Sequence, residues 1–270
     1  MKEKEKVSGN IREWVERLPS QGRYSFTRSE VVDQLRVNPL TFNRMMLRMA
    51  KRNEVARIRG GFYVVVPLEY RKVGIIPPEW FIVELMRYLK QPFYIGVLTA
   101  SAYHGASHQA SQSFHVVTSS SIRECACKGL RVRFFKKQSV AKTKVEQRKG
   151  VTGFIPVSTP EETAFDLLRF NRQIGGLDHV LTLLQELGEQ VSPVRLAETA
   201  KAERVMAFGQ RLGWMLEQAG FEGKVTPLQK WIRKNSPVAT NLEPARPQKG
   251  SLFNARWNLW LNTTLEGDRV

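Results

Sequence analysis

The chain has 270 residues, which favours two domains of ordinary size, and it carries 42 Lys and Arg against 25 Asp and Glu. The resulting net charge of +17 predicts an anionic partner. Because the apolar runs are short and none follows the charged first residues, we expect neither a membrane protein nor a secretory signal. Only two cysteines occur, Cys125 and Cys127, which are too few for a disulfide framework and favour the reducing cytoplasm.

The positive charge is concentrated in two segments. Residues 1–72 carry 16 Lys or Arg and 8 Asp or Glu, and residues 123–149 carry ten basic and two acidic residues. The rest of the chain is close to neutral. We therefore expect two separate basic surfaces, each with its own explanation.

The N-terminal segment predicts three helices. Apolar residues at helical spacing predict the first helix over 10–18. Thr27 is followed three residues later by a glutamate, the capping-box pattern that opens a second helix. Asn38 is a good N-cap and Pro39 suits the first helical position, so a third helix should run from Pro39 to about Arg52.

A β-hairpin follows these helices. Two β-rich runs, 55–59 and 62–66, flank Gly60-Gly61, a two-residue turn signal. This order is typical of a winged helix-turn-helix domain, whose third helix reads bases in the major groove while the hairpin, or wing, lies along the DNA backbone. The alternative is a small α+β domain with a solvated charged face, but the element order, the glycines and the local charge favour DNA binding. The residues predicted to bind DNA are Arg28, Ser29, Thr41, Asn43, Arg44, Arg48, Lys51, Arg57 and Arg59.

The remainder is mixed, and the expected fold class is α+β. Prolines at 67 and 78 bound a predicted linker between two independent cores. Thr159 and Pro160 predict the start of a helix. Strict alternation of apolar and polar residues predicts a last strand near the C-terminus. The expected division is a winged helix-turn-helix domain over 1–72 and a second domain over 73–270, with an α/β part over about 73–170, a mainly helical part over about 171–235 and a terminal strand over about 252–262.

Six stretches of the chain are informative when taken together. They are Arg59–Tyr63, Tyr94–Ala100, His104–Gln109, Phe114–Thr118, Val157–Leu167 and Trp257–Asn262. In this order they resemble the AbiEi family of antitoxins, from bacterial abortive-infection (type IV) toxin–antitoxin systems that act in phage defence. The resemblance covers nearly the whole chain and rests mostly on structural residues.

The resemblance implies two functions. The N-terminal domain would repress its own operon by binding inverted repeats in double-stranded promoter DNA, and the C-terminal domain would be an antitoxin domain that counters a nucleotidyltransferase-like toxin of the AbiEii type. Composition and spacing alone do not indicate the toxin. The alternatives are a ligand-sensing winged-helix transcriptional regulator without a toxin partner, and a nucleic-acid-processing enzyme that the winged helix targets.

The sequence contains few residues with the spacing of a catalytic or metal site. His104 and His108 with Cys125 and Cys127 could make a zinc site, but ordinary packing explains this spacing better. A nuclease would need carboxylates clustered with a lysine, and few acidic residues adjoin the apolar strands. No cofactor motif occurs. We therefore expect no enzyme activity, no metal and no cofactor.

The second basic segment begins with a predicted strand over 130–135. It could be a solvated loop or an auxiliary DNA contact. Because the implied toxin would hold Mg²⁺ with clustered carboxylates, a third possibility is that this surface is attracted to the toxin's active site. The residues predicted to neutralise the toxin are Arg131, Arg133, Lys136, Lys137, Lys142, Lys144 and Arg148.

Overall fold

The computed structural model describes residues 10–106, 112–235 and 237–266. His108, one of the four zinc-ligand candidates, lies outside these residues, as does part of the His104–Gln109 stretch. None of the helices in the described ranges combines the length and apolar character that a bilayer-spanning segment requires.

The N-terminal part contains three helices and a three-stranded antiparallel sheet, in the strand order β1-β3-β2. The helix starts follow the capping residues in the sequence: Thr27 forms a capping box with Glu30, and the Asn38 side chain accepts a hydrogen bond from the Leu40 amide at 2.8 Å. The elements are α1 (Ile11–Arg17), β1 (Ser25–Thr27), α2 (Arg28–Leu35), α3 (Pro39–Lys51), β2 (Val55–Arg59) and β3 (Phe62–Val65).

The turn between β2 and β3 requires glycine at position 61. Gly61 has a φ of +79°, and a Cβ atom there would lie 2.8 Å from the hydroxyl oxygen of Tyr88. The Tyr88 hydroxyl donates a hydrogen bond to the Gly60 carbonyl at 2.8 Å. The hairpin tip is therefore held against the next part of the chain.

A six-stranded mixed sheet follows, in the order β6-β7-β5-β4-β9-β8. β5 is parallel to β7 and β4 is parallel to β9, while the other pairs are antiparallel. β6 and β8 are therefore the two edges of the sheet. The elements of this part are α4 (Ile82–Tyr88), β4 (Phe93–Ile95), α5 (Val97–Tyr103), β5 (Phe114–Thr118), β6 (Cys125–Cys127), β7 (Leu130–Lys136), β8 (Val145–Gly150) and β9 (Gly153–Ser158).

Five helices pack on this sheet and on one another. Their buried leucines, valines and aromatic residues join Tyr94, Val117 and Phe135 of the sheet in the largest core of the described residues. Thr159 caps the first of these helices, and Pro160 occupies its first position, as the sequence predicts. The helices are α6 (Pro160–Arg169), α7 (Gly176–Leu187), α8 (Pro193–Glu203), α9 (Met206–Gln218) and α10 (Thr226–Lys234).

The C-terminal segment is a small three-stranded sheet, not one long strand. β10 (Thr240–Asn241) is parallel to β12 (Leu259–Leu261), and β11 (Leu252–Asn254) is antiparallel to β12. A turn over 255–258 separates β11 from β12, and Asn258 in it has a φ of +50°. The single strand predicted over 252–262 is therefore wrong, because alternation persists through a tight hairpin and does not mark its turn.

The β2–β3 hairpin, which we call the wing hairpin, contributes side chains to two hydrophobic cores. Tyr63 and Val65 face the N-terminal helices, whereas Phe62 and Val64 face a second core that includes α4 and the central strands of the six-stranded sheet. Ile75 and Ile76, inside the predicted linker, are buried in that second core. The expected pair of independent cores is thus replaced by a shared core, because both faces of the hairpin are apolar.

Candidate functional site

One face of α3 is exposed and cationic. The other face of α3 carries the buried residues Phe42, Met46 and Met49, which fix the orientation of the helix. The opposite face carries the residues predicted to read DNA, and all are exposed: Thr41, Asn43, Arg44, Arg48 and Lys51.

A groove of about 590 Å³ lies between α3 and the wing hairpin. Met46, Leu47 and Tyr63 contribute to its lining, and Arg28 and Arg57 contribute cationic side chains, both from exposed residues. The two arginines give this groove a positive charge, which suits an anionic group such as a phosphate. Ser29, also predicted to bind DNA, is exposed at the start of α2, with its hydroxyl 3.1 Å from that of Thr27.

Arg59 has a different environment from the other predicted wing residue. It is half-buried, and its Nη1 donates a hydrogen bond to the Arg123 carbonyl at 3.0 Å and contacts Cys125 Sγ at 3.6 Å. Arg59 therefore ties the wing to the β6 edge of the six-stranded sheet, and the expectation of a phosphate contact on the wing now rests on Arg57. The sequence could not show this because Arg123 is 64 residues away.

The second basic segment is split by the sheet topology. Arg131 and Lys136 are exposed on β7, next to one edge, whereas Arg148 is exposed on β8, the opposite edge. Four strand spacings, or roughly 19 Å, separate β7 from β8. The seven residues predicted as one toxin-binding surface therefore do not form one patch.

Several of these cations already have partners. Arg133 is half-buried and donates to the Gln173 carbonyl at 3.3 Å. Lys144 pairs with Glu198 at 2.7 Å, and the Arg148 guanidinium lies 4.4 Å from the centre of the Tyr103 ring. Arg131 lies 3.9 Å from Glu124, and Lys142 is exposed.

Lys137 is not on the surface. Its side chain is 1% exposed, and Nζ pairs with Glu162 at 3.3 Å, with Asp166 at 3.5 Å and with Glu203. Arg169 pairs with Glu203, and the Tyr94 hydroxyl donates to Asp166 at 2.7 Å. The assignment of Lys137 to a toxin-binding surface is therefore wrong, because three carboxylates hold it inside the protein. We call Lys137, Glu162, Asp166, Arg169 and Glu203 the ionic cluster.

Burial and mutual attraction have opposite effects on the pKa values of the ionic cluster. Burial raises the pKa of Asp166 and of Glu162, and the Lys137 ammonium opposes this rise. Burial alone would lower the pKa of Lys137, but attraction to the three carboxylates outweighs it and raises that pKa above its usual value. Burial and the neighbouring Asp166 also raise the pKa of Tyr94, which therefore keeps its proton and remains a donor.

The histidine and cysteine residues that were considered as zinc ligands take part in other contacts. His104 Nε2 lies 2.7 Å from the Ser158 carbonyl, and Cys125 is buried beside Arg59. Among the residues that the structure describes, no three His, Cys, Asp or Glu side chains are grouped so that they could hold a metal ion.

Comparison with known protein families matches residues 94–218 to the AbiEi antitoxin C-terminal domain. Residues 94–218 are thus similar to AbiEi antitoxins. The match confirms the resemblance inferred from the sequence over this range, which contains β4 to α9. A comparison with curated proteins finds no significant match.

The overall fold also has a solved counterpart. The crystal structure of the RV2827C protein from Mycobacterium tuberculosis aligns with a TM-score of 0.63 and 14% identity, over 94% of this chain and 93% of that chain. At this identity the likeness shows the fold alone.

Within residues 94–218, the ionic cluster is not among the sites predicted from the sequence. Glu162, Asp166 and Arg169 lie at helical spacing on one face of α6, and Lys137 follows the last residue of a strand. A helix face with two carboxylates between buried apolar residues was the available signal. Glu203 was not predictable, since it joins the cluster from the end of α8 through tertiary packing.

Proposed function

We propose that this protein is an antitoxin that represses its own operon and neutralises a cognate nucleotidyltransferase-like toxin. The observation that carries the proposal is the AbiEi antitoxin C-terminal domain over residues 94–218. The antitoxin family favours a role in binding over a role in catalysis. The proposal places the protein in the cytoplasm, where both partners would be found.

The first proposed activity is binding to double-stranded promoter DNA by a winged helix-turn-helix domain within residues 1–72. The order α1, β1, α2, α3 and an antiparallel hairpin supports this assignment. In this arrangement α3 enters the major groove, where arginines pair with guanine and Asn43 with adenine. Arg57 and Arg28 contact phosphates beside the groove. Inverted repeats would each bind one protomer.

The second proposed activity is neutralisation through the β7 side of the six-stranded sheet. Arg131 and Lys136 are exposed there, and the 3.9 Å separation of Arg131 from Glu124 is much longer than the 2.7 Å pair of Lys144 with Glu198. A nucleotidyltransferase holds Mg²⁺ with carboxylates, so its active site would attract these cations. Arg148 and Lys149 on β8 are the alternative surface, because they are exposed at the other edge.

One experiment with four double variants tests both activities. The full chain is co-expressed with the nucleotidyltransferase-like protein of its own operon, and growth rescue and repression of a promoter reporter are scored together. Arg44→Ala with Arg48→Ala should relieve repression, at about 1–3 kcal/mol per lost base contact, and should leave rescue intact. Arg131→Glu with Lys136→Glu should abolish rescue and leave repression intact.

The control carries Lys230→Glu and Lys234→Glu on α10, both at exposed positions, and changes the net charge by the same amount. It should retain rescue and repression. Full rescue by the β7 variant would contradict the proposed surface, and loss of rescue in Arg148→Glu with Lys149→Glu would move it to β8. Unchanged repression in the α3 variant would contradict base reading by α3.

A further inference from the structure

Two leucines lie in the middle of the cationic face of α3. Leu40 and Leu47 are each 65% exposed. They are seven residues apart, so they lie two turns apart on nearly the same line of the helix, separated by about 10.5 Å. The core under α3 is filled by Phe42, Met46 and Met49, and neither leucine contributes to it. Their exposure therefore has no explanation in the packing of the domain.

The surroundings of the leucines are polar and cationic. Asn43, Arg44, Arg48 and Lys51 alternate with them on the same face, and α3 contains no acidic residue. A helix face with three cations and no acidic residue favours a polyanion as its partner. The major groove of DNA fits it, because it presents acceptors and donors beside the methyl group of each thymine.

We propose that Leu47 and Leu40 are specificity-determining residues that each contact the C5-methyl group of a thymine in the operator. The inference rests on the proposed binding of promoter DNA by α3. Leu47 lies one turn from Asn43 and Arg44, so its thymine is close to the bases that these two side chains read. Leu40, two turns away, contacts a different thymine.

Deoxyuridine tests this contact at the level of one methyl group. The full-length protein is bound to a duplex from the region upstream of its own gene, and each thymine in the footprint is replaced in turn by deoxyuridine, which differs only in lacking the methyl. Loss of one buried methyl should weaken binding about threefold to fivefold at a contacted thymine. In Leu47→Ala the penalty at one thymine should disappear, and in Leu40→Ala the penalty at another.

The control is Leu252→Ala, which removes an equally apolar side chain that is 76% exposed on the C-terminal sheet. It should keep every deoxyuridine penalty. If the wild-type protein binds the duplex and no single deoxyuridine matters, the thymine contact is wrong while promoter binding stands. If the wild-type protein binds no promoter duplex, the proposed function itself fails.

A second copy of this chain is the alternative partner for the two leucines. Sedimentation of the wild-type protein and of Leu47→Ala without DNA distinguishes it. The same oligomeric state in both is expected. A change of state in Leu47→Ala, with affinity reduced equally for thymine and deoxyuridine duplexes, would overturn the thymine contact in favour of a second copy of this chain.

Discussion

At position 137 a lysine occupies a buried site directly after the last residue of β7. Replacing Lys137 by Met keeps the length and apolar stem of the side chain but removes the charge that Glu162, Asp166 and Glu203 face. Because breaking a buried ion pair leaves uncompensated charge, we expect a loss of about 3–5 kcal/mol in the free energy of unfolding at neutral pH. Urea titration followed by circular dichroism measures it.

The neighbouring residue supplies the control. Lys136 is exposed, so Lys136→Met should change the free energy of unfolding by no more than about 0.5 kcal/mol. Equal effects at 136 and 137 would contradict the burial of Lys137.

Lys137→Met should also change the dependence of the free energy of unfolding on pH. A carboxyl group whose pKa is raised by folding binds more protons in the native state, so its contribution to stability falls as pH rises. Burial already raises the pKa of Glu162 and Asp166, and loss of Lys137 removes the main opposing influence. The defect of Lys137→Met should therefore shrink as pH falls below neutrality and the carboxylates take up protons. A defect that is constant with pH would show that the carboxylates do not cause it.

Among the elements, α9 and the C-terminal hairpin depend on one close contact. Trp257 is fully buried, its Nε1 donates to Glu217 at 2.7 Å, and its ring lies where a side chain at Gly213 would be, with Cη2 2.1 Å from an ideal Cβ atom. Gly213→Ala should displace the indole and destabilise the protein by about 1–3 kcal/mol, despite the better helix propensity of alanine. Thermal unfolding and the emission maximum of tryptophan fluorescence report the change.

Gly209 is the matched control on the same helix. A Cβ atom there would meet Ile232 at 3.4 Å, an ordinary contact. Gly209→Ala should therefore be neutral or stabilising. If both substitutions have the same effect on stability, the close approach of Trp257 to α9 is not the cause of any destabilisation by Gly213→Ala.

Elements with a local cause could be predicted from the sequence, and elements defined by their neighbours could not. Thr27, Asn38 and Thr159 begin helices as expected, because their capping hydrogen bonds form within a few residues. β8 has no clear signal in the sequence, since five of its six residues are exposed and no apolar alternation marks it. It is a strand only because β9 offers it a hydrogen-bonding edge. The same division holds for the candidate site: the exposed face of α3 was predictable, but the positions of Arg59 and Lys137 depend on distant partners.

At the scale of the whole molecule, the shared core joins the proposed DNA-binding and antitoxin functions physically. Arg59 reaches the β6 edge, Tyr88 holds the wing turn, and the rings of Tyr24 and Trp80 lie 4.7 Å apart between the two parts of the chain. The sequence could not reveal this arrangement, because a run of apolar residues on the wing does not say which faces are covered. The boundary near residue 72 therefore separates two proposed functions, but it does not separate two hydrophobic cores.

Truncation tests the consequence. A fragment of residues 73–270 loses Ile58, Phe62 and Val64, which cover the second core, and so leaves apolar side chains such as Ile76 and Phe81 open to water. We expect the fragment to unfold at a lower temperature than the full chain and to bind a hydrophobic dye, in contrast to the independent folding that the predicted linker suggests.

Full-length Arg44→Ala with Arg48→Ala is the control, because it should lose promoter binding while its core stays intact. A fragment that melts like the full chain and still rescues growth would show that the second core is complete without the wing. Rescue by the full-length control but not by the destabilised fragment would show instead that neutralisation needs the wing for folding and does not need DNA.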